Sequence, residues 1–101
     1  MQTSTEISDG RATLRLEGRF ELSAHRDLGN SCDSALATHG VNELELDLAG
    51  IEHFDRSGLG VLLLMKERAD IAHKRMILSN CGASIRHLLD VADLKEIFDV
   101  A

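Results

Sequence analysis

Glu43-Leu44-Glu45-Leu46-Asp47-Leu48-Ala49-Gly50-Ile51-Glu52-His53-Phe54-Asp55-Arg56-Ser57-Gly58-Leu59-Gly60-Val61-Leu62-Leu63-Leu64 is the stretch on which the fold turns. From Glu43 to Leu48 the chain alternates. Leu44, Leu46 and Leu48 point one way and Glu43, Glu45 and Asp47 the other, the pattern of a strand with one dry and one wet face. Ala49 to Arg56 reads as a loop across the C-terminal edge of that strand. Ser57 then opens a helix that runs to about His73. A strand followed by a helix is the first half of a parallel strand-helix-strand unit.

Upstream, Thr3 to Ser8 is a short strand and Asp9-Gly10 a two-residue turn of the kind that joins antiparallel strands. Arg11 to Phe20 alternates, with Ala12, Leu14 and Leu16 on the dry face, until Gly18 ends the pattern. Ser23 is the expected N-cap of a helix from Ala24 to about Thr38. Its apolar face is Ala24, Leu28, Cys32, Ala35 and Leu36. Gly29 weakens this helix by about 1 kcal/mol relative to alanine. Gly40 is its expected left-handed C′ residue.

Downstream, Lys74 to Ser79 is a strand, Asn80 to Ala83 a turn, and Ala83 to Val91 a helix. Leu94 to Val100 reads equally as a last strand or a frayed helix. The order is β-β-α-β-α-β-α(-β). The fold class is therefore α/β: one domain over residues 1–101, with a mixed, mostly parallel sheet. Strands covered on both faces are continuously apolar, whereas these alternate, so the helices are expected mainly on one face.

Composition excludes several functions. The chain has 101 residues, a length that fits one domain, with 44% hydrophobic and 28% charged residues. Eleven Lys and Arg stand against seventeen Asp and Glu, a net charge of −6. A phosphate backbone would be repelled on average, so no nucleic acid is expected as partner. The longest unbroken apolar run, Val61 to Met65, is far too short to span a bilayer, so no membrane insertion is expected. The N-terminus lacks the basic start and apolar region of a signal peptide, and Cys32 and Cys81 form no CxxC pair, which points to the cytoplasm.

In open α/β sheets, chemistry gathers at the C-terminal edge of the strands. Ser57 would be an accessible hydroxyl there, at a helix N-terminus. Gly58 and Gly60 take side chains away from the first turn, so that a large partner can approach. Leu59, Val61, Leu62, Leu63, Leu64 and Met65 are more apolar residues than a one-sided sheet can bury. Either the start of this helix is deeply buried, or one or two of its leucines, Leu59 and Leu63, stay exposed beside Ser57 as a docking patch. A plainer reading of Ser57 is an N-cap, a task that Asp55 could share.

Asp55-Arg56-Ser57-Gly58-Leu59-Gly60 following Leu46-Asp47-Leu48 resembles the corresponding junction of the STAS family, the sulfate-transporter and anti-sigma-factor-antagonist domains. Gly18-Arg19-Phe20-Glu21-Leu22-Ser23-Ala24-His25 also looks like that family's turn into the first helix. The resemblance spans nearly the whole chain. It implies a stand-alone anti-sigma factor antagonist, bacterial and non-enzymatic, that takes part in signal transduction and transcription regulation by partner switching. Unphosphorylated Ser57 would bind a serine kinase or anti-sigma factor with a histidine-kinase-like ATPase fold. Phosphorylation of Ser57 would weaken that binding, and a metal-dependent serine phosphatase would restore it. Asp55, Arg56, Gly58, Leu59, Gly60 and Leu63 would be the partner-binding residues. Where the family commonly has serine or threonine before the phosphorylated residue, this chain has Arg56.

Two rival readings stand beside this one. A STAS accessory subunit of an ABC-type transporter would bind its ATPase without phosphorylation. A small serine hydrolase would use Ser57 with His53 and Asp55, but three groups within five residues seldom reach triad geometry, and no GxSxG elbow is present. Gly58-Leu59-Gly60 is not a dinucleotide fingerprint. The histidines, His25, His39, His53, His73 and His87, show no i, i+4 pair and no cysteine partner, so no metal and no cofactor is expected.

Overall fold

A computed structural model describes all 101 residues, Met1–Ala101. Two strands, β1 (Gln2–Ser8) and β2 (Arg11–Phe20), run antiparallel across a two-residue turn. Asp9 and Gly10 both take positive φ, 51° and 79°. A tight hairpin needs two such residues, and Asp and Gly adopt this backbone at low cost. α1 (His25–Ala37), β3 (Glu43–Phe54), α2 (Arg56–Ile71), β4 (Arg75–Ser79), α3 (Ala83–Val91) and the short β5 (Asp99–Val100) follow.

The five strands lie side by side in chain order, and β2 through β5 are parallel. Each helix therefore carries the chain one place further in the same direction. Right-handed crossovers that all step the same way leave every helix on the same face. The core agrees. Ala12, Leu14 and Leu16 of β2, Leu44, Leu46 and Leu48 of β3, and Met76 and Leu78 of β4 pack with Leu28 and Cys32 of α1, Leu62 and Met65 of α2, and Ile85 and Leu89 of α3. Leu14, Leu44, Leu46 and Leu62 have no exposed surface. Truncating any of these leucines to alanine costs about 2–5 kcal/mol.

The other face of the sheet is wet, as the alternation predicts. Arg11 pairs with Glu43 and Glu45, both at 3.1 Å. Arg15 reaches Glu6 at 3.1 Å and Asp47 at 3.7 Å. Arg75 binds Asp99 at 2.8 Å. Exposed pairs of this kind contribute roughly 0–1 kcal/mol each. Their stronger effect is to keep the face hydrated and free of an apolar patch.

Four expectations are corrected. First, residues 49–54 continue β3 rather than forming a loop. β2 is long, and its upper half, Glu17 to Phe20, pairs with Gly50, Ile51, His53 and Phe54 across two register shifts. Each shift inserts an extra residue into β3 and flips the alternation, so the pattern stops although the strand does not. Asp47 accepts the Ala49 N–H at 3.0 Å, which satisfies a donor at the first bulge.

Second, Ser23 caps nothing. Leu22–Ala24 form a 3₁₀ turn, and Ala24 occupies the N-cap of α1 with no side-chain hydrogen bond. The Ala24 N–H bonds the Glu21 carbonyl at 2.9 Å, and the Leu22 N–H is taken by Ser57 Oγ. Third, α1 stops at Ala37 with Thr38 as C-cap, so Gly40, at φ +86°, lies beyond the C′ position. Fourth, between Leu94 and Val100 only Asp99 and Val100 pair with the sheet.

The gap at Gly29 is used. Arg68 of α2 lays its guanidinium there, donating to the Gly29 carbonyl at 3.2 Å and to Asp33 at 2.6 Å. A side chain at position 29 would press on that group. The helix propensity lost at Gly29 is thus exchanged for a clamp between α1 and α2.

Candidate functional site

β3 ends at Phe54, and the chain turns directly into α2. Asp55 is the N-cap, with extended backbone at φ −127°, and its Oδ1 accepts the Gly58 N–H at 3.1 Å. Asp55 therefore performs the capping, and Ser57 sits two residues inside the cap. The Ser57 hydroxyl donates to Asp55 Oδ1 at 2.6 Å and accepts the Leu22 N–H at 2.9 Å. It ties the start of α2 to the turn that leads into α1. The residue is half-buried and lies outside the apolar core cluster.

These bonds set the electrostatics. The Asp55 carboxyl is held down at about 2, first by the Ser57 hydroxyl, then by the Gly58 N–H, with His53 adding to both. The carboxylate stays charged at any physiological pH, and its attraction to the helix N-terminus points the same way. His53 Nε2 lies 3.4 Å from the other oxygen, Asp55 Oδ2, and 3.9 Å from Glu21 Oε2. Arg19 reaches the same Glu21 oxygen at 3.5 Å.

The order of contacts is Ser57–Asp55–His53. A hydrolytic triad needs the imidazole between the nucleophile and the acid. Here the carboxylate touches the serine and the imidazole does not. Ser57, His53 and Asp55 are brought together, but not in the geometry of a Ser-His-Asp relay.

The other site residues divide. Gly58 is buried, and a Cβ there would lie 2.5 Å from the Phe20 carbonyl and 3.0 Å from the Phe54 ring. Those rings pack against each other with centroids 5.4 Å apart. Gly58 therefore lets α2 close onto the ends of β2 and β3, instead of opening space for a partner. Gly60 has no neighbour within 4 Å of such an atom and faces solvent. Arg56 is exposed.

The expected exposure of Leu59 is corrected, for it retains only 8% of its surface; Leu63 retains 37%. Leu59 forms part of the floor of a shallow depression shared with Arg56, Leu88 and Val91. Leu63 shares the outer face of α2 with Leu64. Sequence reading missed Leu22, which is 65% exposed although its N–H binds Ser57. Nothing in the local pattern marks it, because its position depends on a contact across 35 residues. Glu21 was missed for the same reason.

No helix is long and apolar enough to cross a membrane. A family described as "Mlab, STAS domain" matches residues 3–99. A STAS-domain containing protein of Pseudomonas aeruginosa is 27% identical over 100 residues, which cover 98% of this chain and 97% of that protein. Among solved structures, an anti-sigma factor antagonist from Mycobacterium paratuberculosis superposes with a TM-score of 0.79 at 19% identity, covering 98% of this chain and 83% of that one. The phosphorylated form of the Bacillus cell fate determinant SpoIIAA gives 0.73 at 19% identity, covering 99% and 91%. At such identities these two likenesses speak for the fold.

Proposed function

The chain belongs to the STAS family, and from that premise we propose that it is a phosphorylation-controlled binding module of the anti-sigma factor antagonist type. In its unmodified form it docks onto a protein partner, a serine kinase or anti-sigma factor with a histidine-kinase-like ATPase fold, and so releases that partner's other client. Phosphorylation of Ser57 ends the docking, and a metal-dependent serine phosphatase resets it. The module has no reaction of its own and works in the cytoplasm.

The observation that carries this reading is the placement of Ser57 Oγ. It is held between Asp55 and the Leu22 N–H in the first turn of α2, next to exposed Leu22, Arg56 and Gly60. A phosphoryl group there replaces the hydroxyl proton that Asp55 now accepts. It brings about −1.5 to −2 charge against a carboxylate that is itself ionised. The helix N-terminus tolerates the added anion, so the fold survives. A partner covering this surface must instead desolvate two adjacent anions. Each 1.4 kcal/mol of that cost lowers affinity tenfold.

The test is a pull-down with wild-type, Ser57→Ala and Ser57→Asp baits, with native mass spectrometry of the protein from its source cell. A phosphate on Ser57, together with a partner retained by the alanine bait and lost by the aspartate bait, supports the switch. A stoichiometric ATPase complex with no phosphate on Ser57 replaces it with the transporter-subunit reading. Ester turnover abolished by Ser57→Ala would favour the hydrolase.

A further inference from the structure

Beside Ser57, two chain segments that are far apart in sequence bring three metal-ligating side chains together. Glu21 leaves the end of β2, His53 lies near the end of β3, and Asp55 caps α2. One ligating atom from each falls within 4.8 Å of the other two. We propose that Glu21, His53 and Asp55 form a surface site for a first-row transition dication, with Zn²⁺ the best match.

The division of Asp55 makes room for the ion. Oδ1 is committed to the Gly58 N–H and the Ser57 hydroxyl, whereas Oδ2 turns to His53. A ligand bond through Oδ2 leaves the helix cap in place. Atoms bound about 2.1 Å from one ion stand roughly 3–3.6 Å apart. The Asp55 Oδ2–His53 Nε2 separation of 3.4 Å already fits. Glu21 Oε2, 3.9 Å from His53 and within 4.8 Å of Asp55, must close by about 1 Å, which its half-exposed side chain permits.

The donor set selects the metal. One imidazole with two carboxylates suits Zn²⁺ and its neighbours, whereas Mg²⁺ and Ca²⁺ favour oxygen ligands alone. The charge also balances, since two carboxylates meet one dication. The competing cation, Arg19, holds Glu21 only through a 3.5 Å contact on an exposed side chain, so it yields at small cost. All three ligands are half-exposed, which leaves the remaining coordination positions to water. Ser57 is not a ligand, so the proposal does not rest on its phosphorylation.

The experiment is a zinc chloride titration of the ¹⁵N-labelled chain, followed through the imidazole nitrogens by NMR and in parallel by calorimetry. Glu21→Gln and His53→Gln are the variants, each checked by thermal melting. Asp55 is left intact because it caps α2. A control chain carries His39→Gln, His73→Gln and His87→Gln, which remove exposed histidines elsewhere.

One equivalent of Zn²⁺ should shift His53 Nε2. Each single variant should lose at least the tenfold or so in affinity that even outer-shell partners contribute. The control chain should bind as wild type, and magnesium chloride at the same concentration should leave His53 unmoved. Unchanged affinity in both variants, shifts centred on other histidines or Cys81, or no binding below millimolar zinc would each overturn the site.

Discussion

Ser57 donates its hydroxyl proton to Asp55 at 2.6 Å, while His53 holds the opposite oxygen of the same carboxylate at 3.4 Å. One carboxylate thus caps a helix, orients a serine and faces an imidazole. The Ser57 bond is the largest cause of the low Asp55 pKa. A folded-state pKa below the ordinary 3.8 means that the charged form is favoured by folding. This contribution is complete above the ordinary carboxylate range and disappears as pH falls towards about 2. In Ser57→Ala the Asp55 value should rise towards the ordinary one, and carboxyl-carbon NMR titration reads it directly. An unmoved Asp55 would mean that the Gly58 N–H and His53 set the charge without the serine.

Ser57→Ala and Ser57→Asp should both fold. The alanine loses one link to Asp55 and one to the Leu22 N–H, and the second is within reach of water. A loss of about 0.5–2 kcal/mol, the range for a disturbed helix cap, is expected in chemical denaturation. Ser57→Asp should stay in the same range while losing partner affinity. A Ser57→Asp chain without a cooperative transition contradicts the argument from the helix terminus.

Gly58→Ala and Gly60→Ala should act in opposite directions. At position 58 the new methyl meets the Phe20 backbone carbonyl and two aromatic rings, none of which can give way cheaply. Overpacking of this sort costs about 1–3 kcal/mol. At position 60 the methyl meets nothing, and replacing a helical glycine with alanine gains up to about 1 kcal/mol. Paired melting curves decide it. If Gly60→Ala also weakens partner binding, then open space at that turn is part of the interface.

Leu22→Ser should leave stability within about 0.5 kcal/mol, as for other exposed positions. It should nevertheless weaken docking, because it removes apolar area beside Ser57. Retention of full affinity in titration calorimetry would place the interface elsewhere on the surface.

The two thiols should react at different rates. Burial pushes Cys32 up to about 12, and Cys81, half-buried, is raised by the same cause. Iodoacetamide at pH 8 should modify Cys81 slowly, and Cys32 only once denaturant opens the core. Equal labelling of both under native conditions would show that the α1 face is looser than its packing implies.

Much of the fold was legible because its signals are local. The alternation of Ala12, Leu14 and Leu16 with Thr13 and Arg15 marks β2, and the helical spacing of Leu28, Cys32 and Ala35 marks the buried face of α1. Asp9-Gly10 carries its turn in its residue types. The second half of β3 was hidden because the bulges after Asp47 and Ile51 shift the phase on which alternation depends. Ser23 looked like a cap because capping is judged from the nearest residues, and the Leu22 N–H found its acceptor on another element. Ser57 and Asp55 stood out in their motif, whereas Glu21 joined them only through sheet pairing. The exposed Leu59 expected from a one-sided sheet ignored α3, whose Leu88 and Val91 share the depression over it.

The strands stand in the sheet in the sequence of their synthesis. A nascent chain emerging from the ribosome therefore never waits for a distant partner, since the template for each strand has already been made. Chains stalled at successive lengths should gain protection from hydrogen exchange one βα unit at a time, starting at the hairpin.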